Sequence, residues 1–369
     1  MKRRIISAVL SLCLVLSAAV PAFAAENSMS NFKASASYSG TFQDVPSSHW
    51  AASSVRTCFE YGLMKGVTSS SFDPEGSLTV AQALVMADRV HEIYASGSST
   101  LQNGQPWYQP YVDYALENGM ISAGEFSDYN TAVTREQMAA IFSRALPASE
   151  LTAVNDIANI PDIADSPYKD EILMLYRAGV LTGSDIYGTF LPDSSIRRSE
   201  AAAIISRVAI PSERKNVTLM KKYVWSDEPS VTVALPQDAA DISDNGDTSF
   251  AGSDSFIYLS THPENYPSDY DITAVSAADL SSMFTEGFAD AGIAFSGAQS
   301  SMVKFGTLKA YRTTGIMNVD GQSADSIIYT YIDETGLKII ALATFGNDAL
   351  LKTLSDNLTV NGSAAVPQI

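Results

Sequence analysis

The chain has 369 residues and a formal net charge of −18, because 41 aspartates and glutamates outnumber 23 lysines and arginines. This acidity argues against nucleic acid and anionic membranes as partners, since both repel a negatively charged surface. Apolar residues make up 46% of the chain, which is enough to build packed cores. The length favours two or more domains.

Residues 1–24 have the pattern of a secretion signal peptide. Three basic residues are followed by an apolar run to about Val20 and by the cleavage site Ala22-Phe23-Ala24. The apolar run is too short for a membrane span. Cleavage would remove Cys13 and leave Cys58, so we expect no internal disulfide and one small buried thiol.

After a polar spacer over 25–40, a pattern of two helices occurs three times, over 41–97, 98–150 and 151–211. In each copy an amphipathic helix ends at a glycine, a turn-rich stretch follows, and a second helix begins. The helix-ending glycines are Gly62, Gly119 and Gly179. One such pair of helices cannot cover its own apolar face, so we expect the three copies to share a core.

Each second helix begins with a tetrad of related sequence. The tetrads are Thr79-Val80-Ala81-Gln82, Thr134-Arg135-Glu136-Gln137 and Arg197-Arg198-Ser199-Glu200. The first two predict capping boxes, in which the threonine hydroxyl accepts the third helical amide and the glutamine returns a bond to the cap. The third tetrad keeps Glu200 but has Arg197 at the cap position, so its cap should be weaker by roughly 1 kcal/mol.

Residues 217–361 have a strand-rich pattern that differs from the repeats. Strands are predicted over 222–226, 231–235, 256–260, 302–305, 308–317, 326–332 and 338–345, and helices over 277–291 and 349–358. Asp333-Glu334-Thr335-Gly336 predicts a hairpin turn, and residues 362–369 read as a tail. The chain is therefore predicted to be multidomain, with a helical repeat unit followed by an α+β domain whose antiparallel sheet is flanked by helices.

The ordered motifs of residues 41–211 resemble the S-layer homology family, whose motifs occur in threes on exported bacterial proteins. The first copy carries Asp44-Val45, His49-Trp50-Ala51, Gly62, Gly66, Phe72-Asp73-Pro74 and its tetrad. The second carries Trp107, Gly119, Gly124 and its tetrad, and the third carries Asp162-Ile163, Tyr168, Gly179, Gly183, Phe190-Leu191-Pro192 and its tetrad. By its order of strands and helices, the C-terminal domain resembles the Mog1/PsbP-like α/β sandwich.

The resemblance implies an all-α unit of three lobes with pseudo-threefold symmetry. It also implies that this unit anchors an exported protein non-covalently to the bacterial cell wall and displays a C-terminal interaction domain at the cell surface. The grooves between lobes would bind secondary cell-wall polysaccharide, often through an acidic pyruvylated sugar. The residues implied as contacts are Trp50, Trp107, Arg135, Tyr168 and Arg198.

Elementary chemistry agrees with such a site. A guanidinium group offers a planar donor pair that matches a carboxylate, and free amides at the start of each second helix would add to anion binding. The copies differ, however: Val80 stands where the first arginine is expected, and the third aromatic is displaced to Tyr168. We therefore do not expect three equal grooves. The tryptophans as lobe core, and the arginines as solvated first-turn residues, stay open as alternatives.

Sequence motifs for catalysis and metal binding are absent. His49, His91 and His262 have no metal-ligand spacing, and the chain has no Walker loop, nucleophile elbow or zinc-protease motif. Residues 241–247 resemble a calcium loop, but Gly252 stands where the bidentate glutamate should be. We expect no enzyme activity, metal or cofactor. The alternative is a cell-wall-modifying enzyme or an adhesin, with its site in residues 217–361.

Overall fold

A computed structural model describes residues 27–227, 230–244, 246–262, 272–290, 293–319 and 321–367. The predicted signal peptide lies outside these described residues. The chain divides into two compact units. The first contains the residues up to 182 together with 190–217, and the second contains 183–189 and the residues from 218 onward. Within the described ranges, no helix has the length and apolarity to cross a membrane.

The described part of the first unit contains six α-helices in three consecutive pairs. They are α1 (Ala52–Glu60), α2 (Val80–Ser96), α3 (Gln109–Glu117), α4 (Arg135–Ser143), α5 (Lys169–Arg177) and α6 (Arg198–Ala209). The first helix of each pair ends as predicted, because the glycine that follows takes a left-handed φ of 69° to 72°. Only glycine adopts this conformation without a steric cost, so the three glycines fix where these helices end.

The apolar stripes of the first helices form the interior of the unit. Val55 and Cys58 in α1, and Ile172 and Leu175 in α5, are completely buried. The Cys58 thiol donates to the carbonyl of Ala202 at 3.3 Å, and burial raises its pKa well above the usual range. The prediction of one small buried thiol is confirmed.

The predicted capping boxes are confirmed in α2 and α4. Thr79 Oγ1 accepts from Gln82 N at 3.3 Å, and Thr79 N donates to Gln82 Oε1 at 3.0 Å. Thr134 and Gln137 repeat both bonds. In α6 only the return bond forms, from Arg197 N to the Glu200 carboxylate at 3.0 Å, because an arginine side chain has no acceptor.

The segment before the repeats is tied to the first copy. A short 3₁₀ turn covers Met29–Asn31, and Asn31 Nδ2 donates to the Tyr94 carbonyl at 2.7 Å. Further along, Tyr38 N donates to the Glu60 carboxylate at 3.1 Å. The part of the predicted spacer that the structure describes is therefore packed against α1 and α2, which its polar composition did not indicate.

The second unit is built on one antiparallel sheet. Its described strands, in sheet order β1-β2-β10-β11-β6-β7-β8-β9-β5-β4-β3, are β1 (Met220–Asp227), β2 (Ser230–Pro236), β3 (Ala240–Asp241), β4 (Thr248–Ala251), β5 (Ser255–His262), β6 (Ala294–Phe305), β7 (Leu308–Val319), β8 (Gln322–Asp333), β9 (Gly336–Thr344), β10 (Thr359–Val360) and β11 (Ser363–Pro367). Asp333 pairs with Gly336 across the β8–β9 turn, which confirms the predicted hairpin. The short strands β3, β4, β10 and β11 were not predicted.

Two helices cover opposite faces of this sheet. Ile327, Tyr329 and Tyr331 of β8 point into a large core, to which α8 (Asp348–Asp356) contributes Leu350, Leu351 and Leu354. Ala324 and Ile328 point to the other face, against α7 (Ala277–Asp290). The prediction of a multidomain chain with helices and an antiparallel sheet flanked by helices is confirmed at this level.

Candidate functional site

The three copies meet in a closed ring of backbone hydrogen bonds. Val133 N donates to the Leu78 carbonyl at 2.9 Å, Ile196 N to Val133 at 3.4 Å, and Leu78 N to Ile196 at 3.2 Å. These three residues directly precede the tetrads, and their side chains are buried. Each copy thus donates to one neighbour and accepts from the other, so that equivalent residues of the three copies have equivalent partners.

The first amides of the second helices are occupied by neighbouring copies. Val80 N donates to Thr131 O at 3.0 Å, Arg135 N to Ser194 O at 2.8 Å, and Arg198 N to Gly76 O at 2.9 Å. The next amide of each helix is bound in the same way to the loop of the adjacent copy. The expectation that free helix amides bind an anion is therefore wrong: loop carbonyls already satisfy them.

The two tetrad arginines reach into the neighbouring copy. Arg135 lies over the Phe190 ring at 5.2 Å, and its Nε donates to the Phe190 carbonyl at 2.6 Å. Arg198 lies over the Phe72 ring at 4.8 Å, and its Nε donates to the Phe72 carbonyl at 2.8 Å. Each guanidinium thus holds the aromatic turn of the next copy, which combines a cation–π contact with a charge-assisted hydrogen bond.

The two arginines differ in their remaining contacts. Arg135 Nη1 is paired with the Glu200 carboxylate at 3.2 Å. Arg198 has no carboxylate within ion-pair distance in the described residues; its Nη2 donates to the Lys65 carbonyl at 2.8 Å. Arg198 is only 8% exposed, and burial lowers the pKa of its guanidinium. Arg198 is therefore a buried cation held by carbonyl groups, and not a solvated first-turn residue.

The aspartates of the Asp-Val and Asp-Ile elements hold the same turns from the other side. The Asp44 carboxylate accepts from Phe72 N at 2.9 Å and from Asp73 N at 2.7 Å. Burial opposes ionisation of Asp44, but these amide bonds outweigh it and lower its pKa. Asp162 binds Phe190 N and Leu191 N in the same way. The second copy lacks this aspartate, as the sequence indicated.

A second set of arginines recurs at one fixed position in the repeats. Arg89, Arg144 and Arg207 each lie ten residues after the first residue of the tetrad. Each donates through Nη1 to the carbonyl of the residue that follows the helix-ending glycine, namely Leu63, Met120 and Val180. These arginines were not among the predicted site residues, although their constant offset from the tetrads is visible in the sequence.

One groove of the first unit collects cationic and aromatic side chains. Its volume is about 220 Å³, and it is lined by all three copies. The polar and aromatic residues of the lining are Lys65, Gln82, Arg89, Asn103, Trp107, Tyr111 and Arg198. None of the described acidic side chains lines it. We call it the first groove; it presents cations in a chain that is strongly acidic overall.

The corresponding arginine of the second copy is neutralised by carboxylates. Arg144 forms ion pairs with Glu125 at 2.9 Å and Glu171 at 2.8 Å, and it lies over the Tyr168 ring at 5.7 Å. The Tyr168 hydroxyl donates to Glu125 at 3.1 Å, and burial together with Glu125 raises its pKa to about 12. An anionic ligand would therefore find no unpaired cation in this cluster.

The five site residues that the resemblance implied lie at different places in the structure. Trp107 and Arg198 both line the first groove, Tyr168 lies with Arg144, and Arg135 is engaged by Phe190 and Glu200. Trp50 is 61% exposed and stacks on His49. Trp107 is 36% exposed, so neither tryptophan is a buried lobe-core residue.

Metal sites are not evident in the described residues. No group of three or more His, Cys, Asp and Glu side chains is placed to hold a metal ion in the described ranges. In the stretch that resembles a calcium loop, Asp241 accepts from Ser243 N at 2.9 Å and from the Ser243 hydroxyl. These bonds lower the Asp241 pKa. The Asp241 carboxylate is therefore hydrogen-bonded within its own turn, to Ser243.

Comparisons with known proteins found similarity to one family in two segments of the repeat region. The model of the S-layer homology domain matches residues 41–84 and 159–202. The chain is 28% identical over 214 residues to an endoglucanase of Bacillus sp. (strain KSM-635), covering 54% of this chain and 22% of that protein. It is 25% identical over 173 residues to the S-layer protein sap of Bacillus anthracis, covering 45% and 21% respectively. The chain thus spans under a quarter of these relatives' length.

A solved structure resembles part of the chain. The solution structure of cyanobacterial PsbP (CyanoP) from Synechocystis sp. PCC 6803 covers 38% of this chain and 92% of its own, with 13% sequence identity and a TM-score of 0.30.

Proposed function

We propose that this protein, which carries S-layer homology domains, uses residues 41–211 to anchor itself to the cell wall through an anionic polysaccharide bound in the first groove. The S-layer homology segments and the surface-layer relatives mark it as an exported protein associated with the cell surface. The ligand that we propose is secondary cell-wall polysaccharide with an acidic sugar, such as a pyruvylated one.

The composition of the first groove is the observation that carries this proposal. Because the chain has a net charge of −18, long-range attraction cannot bring an anion to it. Lys65, Arg89 and Arg198 supply local positive charge, and a carboxylate on a sugar would find no acidic side chain beside it. Trp107 offers an aromatic face for the apolar side of a sugar ring, while Gln82 and Asn103 offer hydrogen bonds to its hydroxyls.

The proposal extends to a three-repeat unit with pseudo-threefold symmetry. The family match covers segments of the first and third copies. We assign residues 98–150 to a second repeat because its capping box, its helix-ending glycine and its place in the ring of backbone hydrogen bonds are equivalent to those of its neighbours. The copies share a scaffold, and their arginine environments make the first groove the strongest candidate for an anion.

A role for residues 217–361 in display and protein interaction is the second part of the proposal. The likeness to the endoglucanase lies in the repeat region, so it favours no catalytic activity for this domain. The wall-modifying enzyme remains the competing hypothesis, and an assay of glycan hydrolysis on purified walls would support it.

Charge reversal in the groove tests wall anchoring in the full chain. Lys65→Glu places a carboxylate in the first groove, so we expect the apparent affinity in co-sedimentation with purified cell walls to fall by about tenfold or more, as for loss of one charge-assisted contact. Lys65 is exposed, so the fold should survive. Lys33→Glu, an equally exposed lysine outside the groove, is the matched control and should keep wild-type binding.

Two results would contradict this anchoring mechanism. One is unchanged co-sedimentation of the Lys65→Glu protein. The other is wild-type binding to walls from which the secondary polysaccharide has been stripped chemically. Raising the salt concentration should also weaken binding of the wild-type chain, because charge pairs at a partly exposed groove are screened.

Replacing each tryptophan separates the groove from the other exposed aromatic. Trp107→Ala should weaken wall binding by about fivefold to tenfold, since it removes the aromatic face of the groove. Trp50→Ala should have less effect, because Trp50 does not line that groove. Equal losses from the two substitutions would show that wall binding is not confined to the first groove.

A further inference from the structure

A large cavity lies in the second unit, between α7 and the sheet. Its volume is about 730 Å³. One wall is the inner side of α7, where Leu280, Met283, Phe284, Gly287 and Phe288 follow the spacing of a single helix face. The opposite wall is formed by strands β5, β8 and β9. The volume is in the range of small-molecule sites, about 300–1,000 Å³.

Small residues keep this cavity open. Ala324, Ala341 and Ala343 supply the sheet wall where larger apolar residues would fill the space. On the helix wall, a Cβ added to Gly287 would meet nothing within 4 Å. A glycine inside a helix costs stability compared with alanine. Gly287 is exposed and lines the cavity, so a side chain added at this position would have open space in front of it. The opposite face of the sheet is closely packed, with Leu350, Leu351 and Leu354 of α8 in its core.

A buried hydroxyl group without a partner lines the cavity. Thr330 Oγ1 has no hydrogen-bond partner among the described residues, and Thr330 is 1% exposed. A buried polar atom without a partner is costly, so each such atom in a folded protein needs an explanation. His262 also lines the cavity, with Nε2 3.0 Å from Ser260 Oγ. These groups offer hydrogen bonds inside an otherwise apolar space.

The charge of the lining limits the head group of a ligand. No lysine, arginine, aspartate or glutamate is among the described lining residues. A charged head group would therefore be desolvated without an opposite charge, which is costly. Hydroxyl or ester oxygens, in contrast, can bond to Thr330 without that penalty. The aliphatic and aromatic walls match an acyl chain.

We propose that the cavity between α7 and the sheet binds a neutral single-chain lipid, an acyl chain with an uncharged hydroxyl or ester head. The acyl chain lies between Phe284, Phe288 and the alanines of β8 and β9, and the head group bonds to Thr330. This gives residues 217–361 a ligand of their own, and it does not depend on wall binding by the repeats.

Displacement of a fluorescent probe tests this proposal on the full chain. N-phenyl-1-naphthylamine, a neutral probe that brightens in apolar sites, should bind the wild-type protein, and 1-monolauroylglycerol should displace it. Laurate, with the same acyl chain and a carboxylate head, should displace the probe at least about tenfold less well at pH 8, because no lysine or arginine is among the described residues that line the cavity. Failure of the probe and of monolauroylglycerol to bind would overturn the proposal.

Two pairs of variants locate the ligand in the cavity. Gly287→Leu places a side chain in the open space, and it should abolish displacement by monolauroylglycerol. Ser282→Leu adds the same side chain on the exposed side of α7, and it should leave binding unchanged. Thr330→Val removes an unpartnered hydroxyl and should lower the affinity for monolauroylglycerol by about fivefold. Thr313→Val is its control, because the buried Thr313 hydroxyl is already bound to Ser300 at 2.8 Å.

The outcomes separate the cavity from other sources of lipid binding. Wild-type affinity in Gly287→Leu would overturn the assignment. So would capture of the protein by phosphatidylcholine vesicles without displacement of the probe by monolauroylglycerol, because that result would assign the apolar contact to a bilayer surface. If Gly287→Leu does not fold, Ala341→Leu narrows the cavity from the sheet wall and carries the same expectation.

Discussion

Asp88→Ser is expected to raise the free energy of unfolding of the repeat unit at pH 7 by about 2–4 kcal/mol. Asp88 lies in α2, is completely buried, and neither carboxyl oxygen has a partner in the described residues. Burial, together with the charge of Glu92, raises its pKa to about 9, and Arg89 offsets only part of the shift. The folded protein therefore holds a protonated carboxyl that forms no bond.

The other two copies have serine at the position equivalent to Asp88. The residues nine positions after the start of the second and third tetrads are Ser143 and Ser206. Each is buried, and each hydroxyl donates to the carbonyl three residues earlier, at 2.9 Å and 3.2 Å. A serine in α2 can make the same bond, so Asp88→Ser replaces an unpartnered group with a satisfied one.

The pH dependence has a definite sign. The unfolded chain loses the Asp88 proton near pH 3.8, whereas the folded chain keeps it up to about pH 9. The folded state thus binds more protons in that interval, so this group makes the free energy of unfolding fall as the pH rises from 4 towards 9. Its contribution to stability is full only below the pKa of the unfolded chain. Asp88→Ser should flatten this part of the pH profile.

Urea unfolding followed by circular dichroism at 222 nm, at pH 5, 7 and 8.5, measures the effect on the helical unit. Asp88→Asn should also flatten the profile but gain less stability, because its amide would still lack partners. Asp113→Ser, at an exposed helical position, should change neither quantity appreciably. A steep pH dependence that persists in Asp88→Ser would show that another group is responsible.

Features that depend on local sequence could be predicted. The capping boxes at Thr79 and Thr134 and the end of each first helix at glycine rest on a few neighbouring residues, and the structure has them where the sequence indicated. The β8–β9 hairpin is of the same kind, because Asp333 and Gly336 flank a two-residue turn. In each case the interacting groups are within four residues of one another.

Features that depend on another copy or a distant strand could not be predicted. The helix amides at Val80, Arg135 and Arg198 looked free, because their acceptors lie in loops of the adjacent copy. The strands β3 and β4 have only two and four residues, too few to show a strand pattern, and they form by pairing with each other and with β5.

The first groove could be predicted only in part. Trp107 and Arg198 were identified through the family motif, and the structure places both in its lining. Lys65 and Arg89 carry no family motif and were missed. The fixed offset of Arg89 from its tetrad was a usable signal, because the same offset recurs at Arg144 and Arg207. Nothing in the sequence distinguished Lys65 from other exposed lysines.

Arg198 and its neighbour Arg197 should differ strongly in their contribution to stability. Arg198→Met should lower the free energy of unfolding of the repeat unit by about 3 kcal/mol, because it leaves the carbonyls of Phe72 and Lys65 without their donors in a buried site. It also removes the cation from the Phe72 ring. Methionine keeps much of the aliphatic stem, so the loss reports chiefly on the guanidinium group.

Arg197→Met is the matched control, since it makes the same substitution one residue earlier. The Arg197 side chain is about half exposed and pairs with Glu75 at 2.7 Å, and the Glu75 side chain is more exposed still. Exposed ion pairs contribute about 0–1 kcal/mol, so Arg197→Met should have a small effect on urea unfolding. If both variants unfold at the same urea concentration, Arg198 does not hold the copies together. A large difference in stability would assign it a structural role beside its place in the groove, because loss of a ligand contact alone would not change unfolding of the ligand-free chain.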